Sequence, residues 1–500
     1  MIGNSAKLLV LQNLDADKLL DQFGKYGRYQ LLVYAMASIN FYIFSYLTTI
    51  ISLIGDNFHE DKCSSNNLNA STLLKETKNN YITLADEFGI TCESFGSLDH
   101  ANGIFMIGNF MAVPFSTYLA DRYGRRMTFL IPLWLLILTT IACALSPTFF
   151  WFLIFRFLSG VFGSAITIVG FVLTVESVAG SFRSIQTLLN TLIWVFGIFS
   201  VGILYIFIEN WRYLYLCILF PLLISIFYYK TFPESIHWLI ANNKTKEIQK
   251  YIFYSCEINK ININLNSCKK ELNNNKQIIE ELPKRNFFDL FIRPNFTFHL
   301  ILNCYIDIVL EFVYWDLTLY SVNLHQNKMV GFFLSAIVEI PAGLISMLLL
   351  MFYGRRTVTI ISLIGQAFSL GLTIFTPNKT IPNLYLSLFA KIMNIVAAAS
   401  ASLLLGEMSP TTIRNMSYGF VSTIGELGSV LAPYIKRIDD ENKQKGIVAL
   451  MSIFAVVFSM MSPETNGRSL PQDLNDFNPG PFIYFIKRCY NRIIWQFKKK

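Results

Sequence analysis

The sequence predicts an all-α membrane protein, with twelve transmembrane helices in two six-helix halves and two insertions, an outer loop and a cytoplasmic loop. Three observations carry this prediction. Of 500 residues, 53% are hydrophobic and only 15% charged, where a soluble domain carries roughly 25% charge. The deficit is concentrated in long runs, and 129–147 and 357–377 hold no charge at all. Each is long enough to cross a hydrocarbon layer of ~30 Å at ~1.5 Å per residue. Finally, short motifs recur at an offset of about 230 residues.

The apolar runs are rich in Leu, Ile and Phe without the alternation of a barrel strand. A backbone in lipid must satisfy its own hydrogen bonds, so these runs read as helices. Spans are expected near residues 30–54, 101–120, 127–146, 149–175, 185–208, 211–230, 296–322, 328–352, 357–376, 382–406, 416–436 and 446–461. They divide the chain into an N-terminal segment 1–29, a first half 30–230, a central loop 231–295, a second half 296–461 and a tail 462–500. The first apolar stretch, Leu31 to Ile54, is too long and too far in for a cleavable leader.

The net charge of +8 does not point to nucleic acid. Its cations sit between spans and in the Lys498–Lys500 end, the pattern that orients membrane proteins. It places both termini and the central loop in the cytoplasm of a multi-pass protein, with the plasma membrane the expected location. The four cations Lys436, Arg437, Lys443 and Lys445 on the opposite side break the pattern. The loop 57–100 then faces outward. It holds Asn69-Ala-Ser71, a glycosylation acceptor. Of eight cysteines only Cys63 and Cys92 fall in this loop, so they form the one disulfide expected. The central loop is expected to form short amphipathic helices around an Asn-rich middle at 259–275. No metal-ligand spacing, nucleotide loop or nucleophile motif is present. The expectation is therefore no enzyme, cofactor or metal; the partners are lipid and a small organic solute.

The repeat supplies the first set of functional candidates. Tyr123-Gly-Arg-Arg126 recurs as Tyr353-Gly-Arg-Arg356, and Pro233-Glu-Ser235 as Pro463-Glu-Thr465. Glu176, seven residues before Arg183, recurs as Glu407, seven before Arg414. Two like halves are the plan of many carriers, with the solute site near the midplane. Gly124 and Gly354 permit tight turns. Asp121, Arg122, Arg125, Arg126, Glu234, Arg355, Arg356 and Glu464 can join helix ends by charge-assisted hydrogen bonds. Such bonds must break when that side opens, so all these residues are gating candidates.

Asp121-Arg-Tyr-Gly-Arg-Arg126 resembles the loop motif of the major facilitator superfamily. Pro233-Glu-Ser-Ile-His-Trp-Leu239 and Pro463-Glu-Thr-Asn-Gly-Arg-Ser-Leu-Pro471 resemble its signatures after spans 6 and 12. Glu87-Phe-Gly-Ile-Thr-Cys92, Val338-Glu-Ile-Pro-Ala342 and Glu407-Met-Ser-Pro-Thr-Thr-Ile-Arg-Asn415 are similar to motifs of the organic cation/anion/carnitine transporter branch. His237 departs from the usual Arg, the second Tyr-Gly-Arg-Arg lacks the preceding Asp, and the sugar porters' span-7 motif is absent. Where this resemblance carries a charge at the residue seven before Pro433, cation carriers resemble an Asp and anion or carnitine carriers an Arg. Here it is Glu426, so the resemblance implies an organic cation.

Span 7 adds Asp307 and Glu311, one turn apart on one face and at mid-depth. Ionisable groups at that depth are costly unless paired or wet, so they are binding candidates. Lys391 in span 10 has two readings: it neutralises an acid such as Glu426, or it receives an anion. Phe171, Tyr314 and Trp315 can offer ring faces to an amine at ~0.5–2 kcal/mol each. The reading is thus a polyspecific, potential-driven carrier of organic cations by alternating access. An anion or carnitine-like zwitterion carrier, and a transport-dead receptor or scaffold, stand as alternatives.

Overall fold

A computed structural model of the chain describes residues 16–54, 84–260 and 287–466, excepting 25–26, 90–97, 179–182, 209, 243, 321–324, 378–379, 411–412 and 439, with scattered positions beyond 466. Asn69, Cys63 and Cys92 lie outside the described residues, as does 261–275 of the Asn-rich segment.

The described regular elements are helices, and nine of them are long and apolar enough to cross a membrane. In chain order these are span 1 (Arg28–Ile54), span 2 (Leu98–Tyr123), span 3 (Arg125–Ala144), span 4 (Phe149–Ser177), span 5 (Arg183–Phe207), span 7 (Pro294–Leu319), span 8 (Lys328–Ile337 continuing as Glu339–Phe352), span 10 (Ile381–Met408) and span 12 (Glu441–Met461). The remaining three of the twelve differ for local reasons. Span 6 is broken into Trp211–Leu216, Leu219–Ile224, a 3-10 turn and Tyr228–Thr231. Pro221 has no N–H to give the carbonyl of Cys217, which is where the helix parts. Pro341 acts in the same way on the carbonyl of Ile337, at the break in span 8.

Span 9 (Arg355–Thr373) is more polar: it starts on Arg355 and Arg356, and one face buries Thr359, Ser362, Gln366, Ser369 and Thr373. Buried hydroxyls and amides are costly without partners, and three of these find them on neighbouring spans. Thr359 donates to Ser400 Oγ at 2.9 Å, Gln366 to Ser452 Oγ at 2.9 Å and Ser369 to the Leu386 carbonyl at 2.6 Å. Span 11 (Arg414–Leu431) carries Glu426 and tightens into a 3-10 turn, Ala432–Arg437, at Pro433.

Two compact units are present, and the division falls within spans 1, 2 and 5, after Thr48, Phe110 and Val201. In the first unit Arg156 is wholly buried, donating to Tyr215 Oη at 2.9 Å and to the Leu47 carbonyl at 2.8 Å. The central loop does form helices, Ile236–Ala241 and Thr245–Asn259. They share a core with a helix the sequence reading missed, Ala16–Phe23, and with Tyr29 and Val33 of span 1. Asn259 clamps the start of span 1: its Oδ1 accepts from the Tyr29 amide at 3.1 Å, and its Nδ2 donates to Gln30 at 2.8 Å.

In the second unit, spans 7 and 11 touch backbone to backbone. A Cβ on Gly428 would overlap the Ile308 carbonyl oxygen and lie 2.8 Å from the Phe312 amide. Backbone atoms cannot swing aside, so Gly428→Ala is expected to cost about 1–3 kcal/mol by overpacking. Thermal unfolding of the purified variant should show a lower midpoint than wild type, and an unchanged midpoint would refute the contact.

Candidate functional site

Asp307 and Glu311 come from the middle of span 7, and Glu426 from span 11. The close approach described above brings them together. Asp307 lies against Gly425, where a Cβ would overlap its Oδ2. Each of the span-7 acids interacts electrostatically with Glu426. Glu311 accepts from Trp315 Nε1 at 3.1 Å. Glu426 is held at Oε2 by Asn109 Nδ2 and Ser429 Oγ, both at 2.8 Å. None of the three acids forms an ion pair among the described residues. Grouped carboxylates in a helical bundle are complementary to positive charge.

Lys391 takes a different place. It is 1% exposed and pairs with Glu339 Oε1 at 2.8 Å. It also donates to Ser335 Oγ at 2.8 Å and to the Ser335 carbonyl at 3.0 Å. That carbonyl lies just before the break in span 8. Tyr314 joins this group: its hydroxyl donates to Glu339 at 3.1 Å and its ring lies 5.4 Å from the Lys391 ammonium. Trp315 packs edge-on to Tyr314 at 5.2 Å and links the two groups through Glu311. Phe171, in the first unit, is 43% exposed with its ring edge-on to Phe41.

The repeated motifs build two like caps, one in each unit. In the first, Glu234 accepts from the Arg125 amide at 2.7 Å and the Arg126 amide at 3.1 Å, at the start of span 3. A carboxylate suits this position because a helix start presents unpaired N–H groups. Burial pushes the Glu234 carboxyl above the ordinary range, and the amides of Ser235, Arg126 and Arg125 oppose it. Gly124 is required twice over: its φ is +100°, and a Cβ would overlap Glu234. Arg125 pairs with Asp121 at 3.0 Å and Glu176 at 3.4 Å. The Ser235 hydroxyl donates to Glu176, and Arg126 donates to the Tyr229 carbonyl.

The second cap repeats this plan. Glu464 accepts from the Arg356 amide at 3.4 Å and crowds Gly354. Arg355 pairs with Glu407 at 3.1 Å, Thr465 Oγ1 donates to Glu407 at 2.6 Å, and Arg356 reaches the Met460 carbonyl. The Asp missing from the second motif is replaced by Asn466, whose Oδ1 accepts from Arg355 at 2.9 Å. Two candidates lie outside the caps. Arg122 is exposed and donates to Tyr118 Oη at 2.8 Å, and Arg414 donates to the Ser409 carbonyl rather than pairing with Glu407. The side chain of Arg183 is outside the described residues.

Sequence reasoning missed Asn109, Glu339 and Asn466. Ser235 and Thr465 carried a usable signal, since both repeated tripeptides end in a hydroxyl and both hydroxyls serve the matching Glu.

Twelve membrane spans in two halves with like caps are the plan of a membrane transporter. The chain belongs to the Major Facilitator Superfamily, whose pattern matches residues 30–433. A Caenorhabditis elegans protein designated a transporter is 27% identical over 94% of this chain and 85% of its own. The organic cation transporter protein of Drosophila melanogaster is 26% identical over 83% of this chain and 77% of its own. The xylose transporter XylE from E. coli, in its inward open conformation, shares the fold with a TM-score of 0.60 at 18% identity, over 88% of this chain and 98% of that one.

Proposed function

We propose that this chain carries small organic cations of varied structure by alternating access, with Glu426, Asp307 and Glu311 as counter-charge. The observation that carries the reading is a division of charge within one unit. Lys391 is spent on Glu339, while the three acids have no basic partner among the described residues. The relationship to an organic cation transporter supports the same reading. The two caps act as gate latches, transport is facilitative and follows the membrane potential, and the protein works in the plasma membrane with cytoplasmic termini.

The test is tracer uptake by purified protein in liposomes. An inside-negative potential should drive tetraethylammonium inward, because one charge gains about 2.3 kcal/mol per 100 mV, or about fifty-fold accumulation. Uptake should ignore sodium. Preference for an aromatic carboxylate tracer would instead support the anion reading, and failure to accumulate any tracer would support the receptor reading.

A further inference from the structure

We infer that Asn109 is a positioning residue that reports cation occupancy at Glu426 to the closing contact between spans 2 and 11. This rests on the cation reading above and extends it.

Asn109 is 4% exposed, and its Nδ2 donates to Glu426 Oε2. Ser429 donates to the same oxygen. The other oxygen, Oε1, has no hydrogen-bond partner among the described residues. One edge of the carboxylate is therefore fastened and the other is presented.

The contact is the inner end of a longer run within the second unit. Tyr434 lies beside Gly103, where a Cβ would overlap its hydroxyl, and its ring lies 5.7 Å from that of His100. The eight-residue step from Glu426 to Tyr434 matches the six-to-nine-residue step back from Asn109 to Gly103 and His100. Residues 98–110 of span 2 thus run antiparallel along span 11. Span 2 comes from the first six-helix half of the sequence and span 11 from the second. Alternating access requires such cross-half contacts to part.

The two demands on Glu426 compete. A cation drawn onto the carboxylate withdraws negative charge from Oε2 and weakens its bond to the Asn109 amide. The loaded carrier then separates spans 2 and 11 more readily than the empty one. That is a differential interaction with two conformations, the requirement for a ligand to shift their balance.

The experiment compares entry of labelled tetraethylammonium into liposomes that are empty or preloaded with the unlabelled cation. The full-length wild-type protein should show several-fold faster entry into preloaded vesicles, because return of the empty carrier is slow. Asn109→Leu should bring the two rates together, and Asn109→Gln, which keeps the donor, should restore part of the difference.

A leucine variant that folds, binds tetraethylammonium and keeps the wild-type ratio overturns the inference. Should it fail to fold, the smaller Asn109→Ala, which also lacks the donor, decides in the same way. Failure of the underlying cation reading looks different: Glu426→Gln would then take up tetraethylammonium normally.

Discussion

Glu426→Gln is expected to lower tetraethylammonium uptake by about thirty-fold or more while the protein still reaches the membrane. Glutamine keeps the shape of the side chain and can still accept from Asn109 and Ser429. What it loses is the charge. Removing one partner of a desolvated charge pair costs about 2–5 kcal/mol, and the lower figure already corresponds to about thirty-fold. Uptake measured beside surface labelling separates lost transport from lost expression. Wild-type uptake by this variant would remove the main ground for assigning a cation. On the proposed reading Asp307 and Glu311 share the solute with Glu426, so their single amide variants should weaken uptake less than Glu426→Gln does.

Lys391→Met is expected to be the more damaging change for the protein itself. It leaves Glu339 buried, 4% exposed at its side chain, without the ammonium now 2.8 Å away. Breaking one side of a buried pair costs about 3–5 kcal/mol because it strands a charge, whereas removing both charges together strands none. The double variant Lys391→Met with Glu339→Gln should therefore recover a monodisperse, folded protein and keep tetraethylammonium uptake. The contrast matters because Lys391 was the one sequence argument for an anionic solute. If the double variant folds but loses uptake, Lys391 acts on the solute and not only on Glu339.

The sequence disclosed the spans because a membrane leaves a coarse mark, long runs without charge. It disclosed the caps because a duplicated plan writes the same motif twice. The partners of the buried charges were not legible. Lys391 and Glu339 are 52 positions apart, and Glu339 stands in a motif quoted for its family likeness alone. Asn109 and Glu426 are 317 positions apart. No local periodicity links such residues; only the packing of span 8 on span 10, and of span 2 on span 11, does. Asp307 and Glu311 were legible as a pair because one helical turn is a sequence distance, and their union with Glu426 depends on Gly425 and Gly428. Span 6 yielded less to a hydropathy reading, since the fracture at Pro221 divides an apolar run that looks continuous in one dimension.

The second cap answers the first with one anion fewer. Arg125 leans on Asp121, whose side chain is 68% exposed, whereas the matching place beside Arg355 is filled by the neutral amide of Asn466. Salt weakens ion pairs between exposed charges and leaves neutral donors and acceptors almost untouched. Rising ionic strength should consequently slacken the first fastening ahead of the second. The chain's internal symmetry of form thus conceals an asymmetry of response, and electrolyte can tell apart two ends that geometry makes nearly identical.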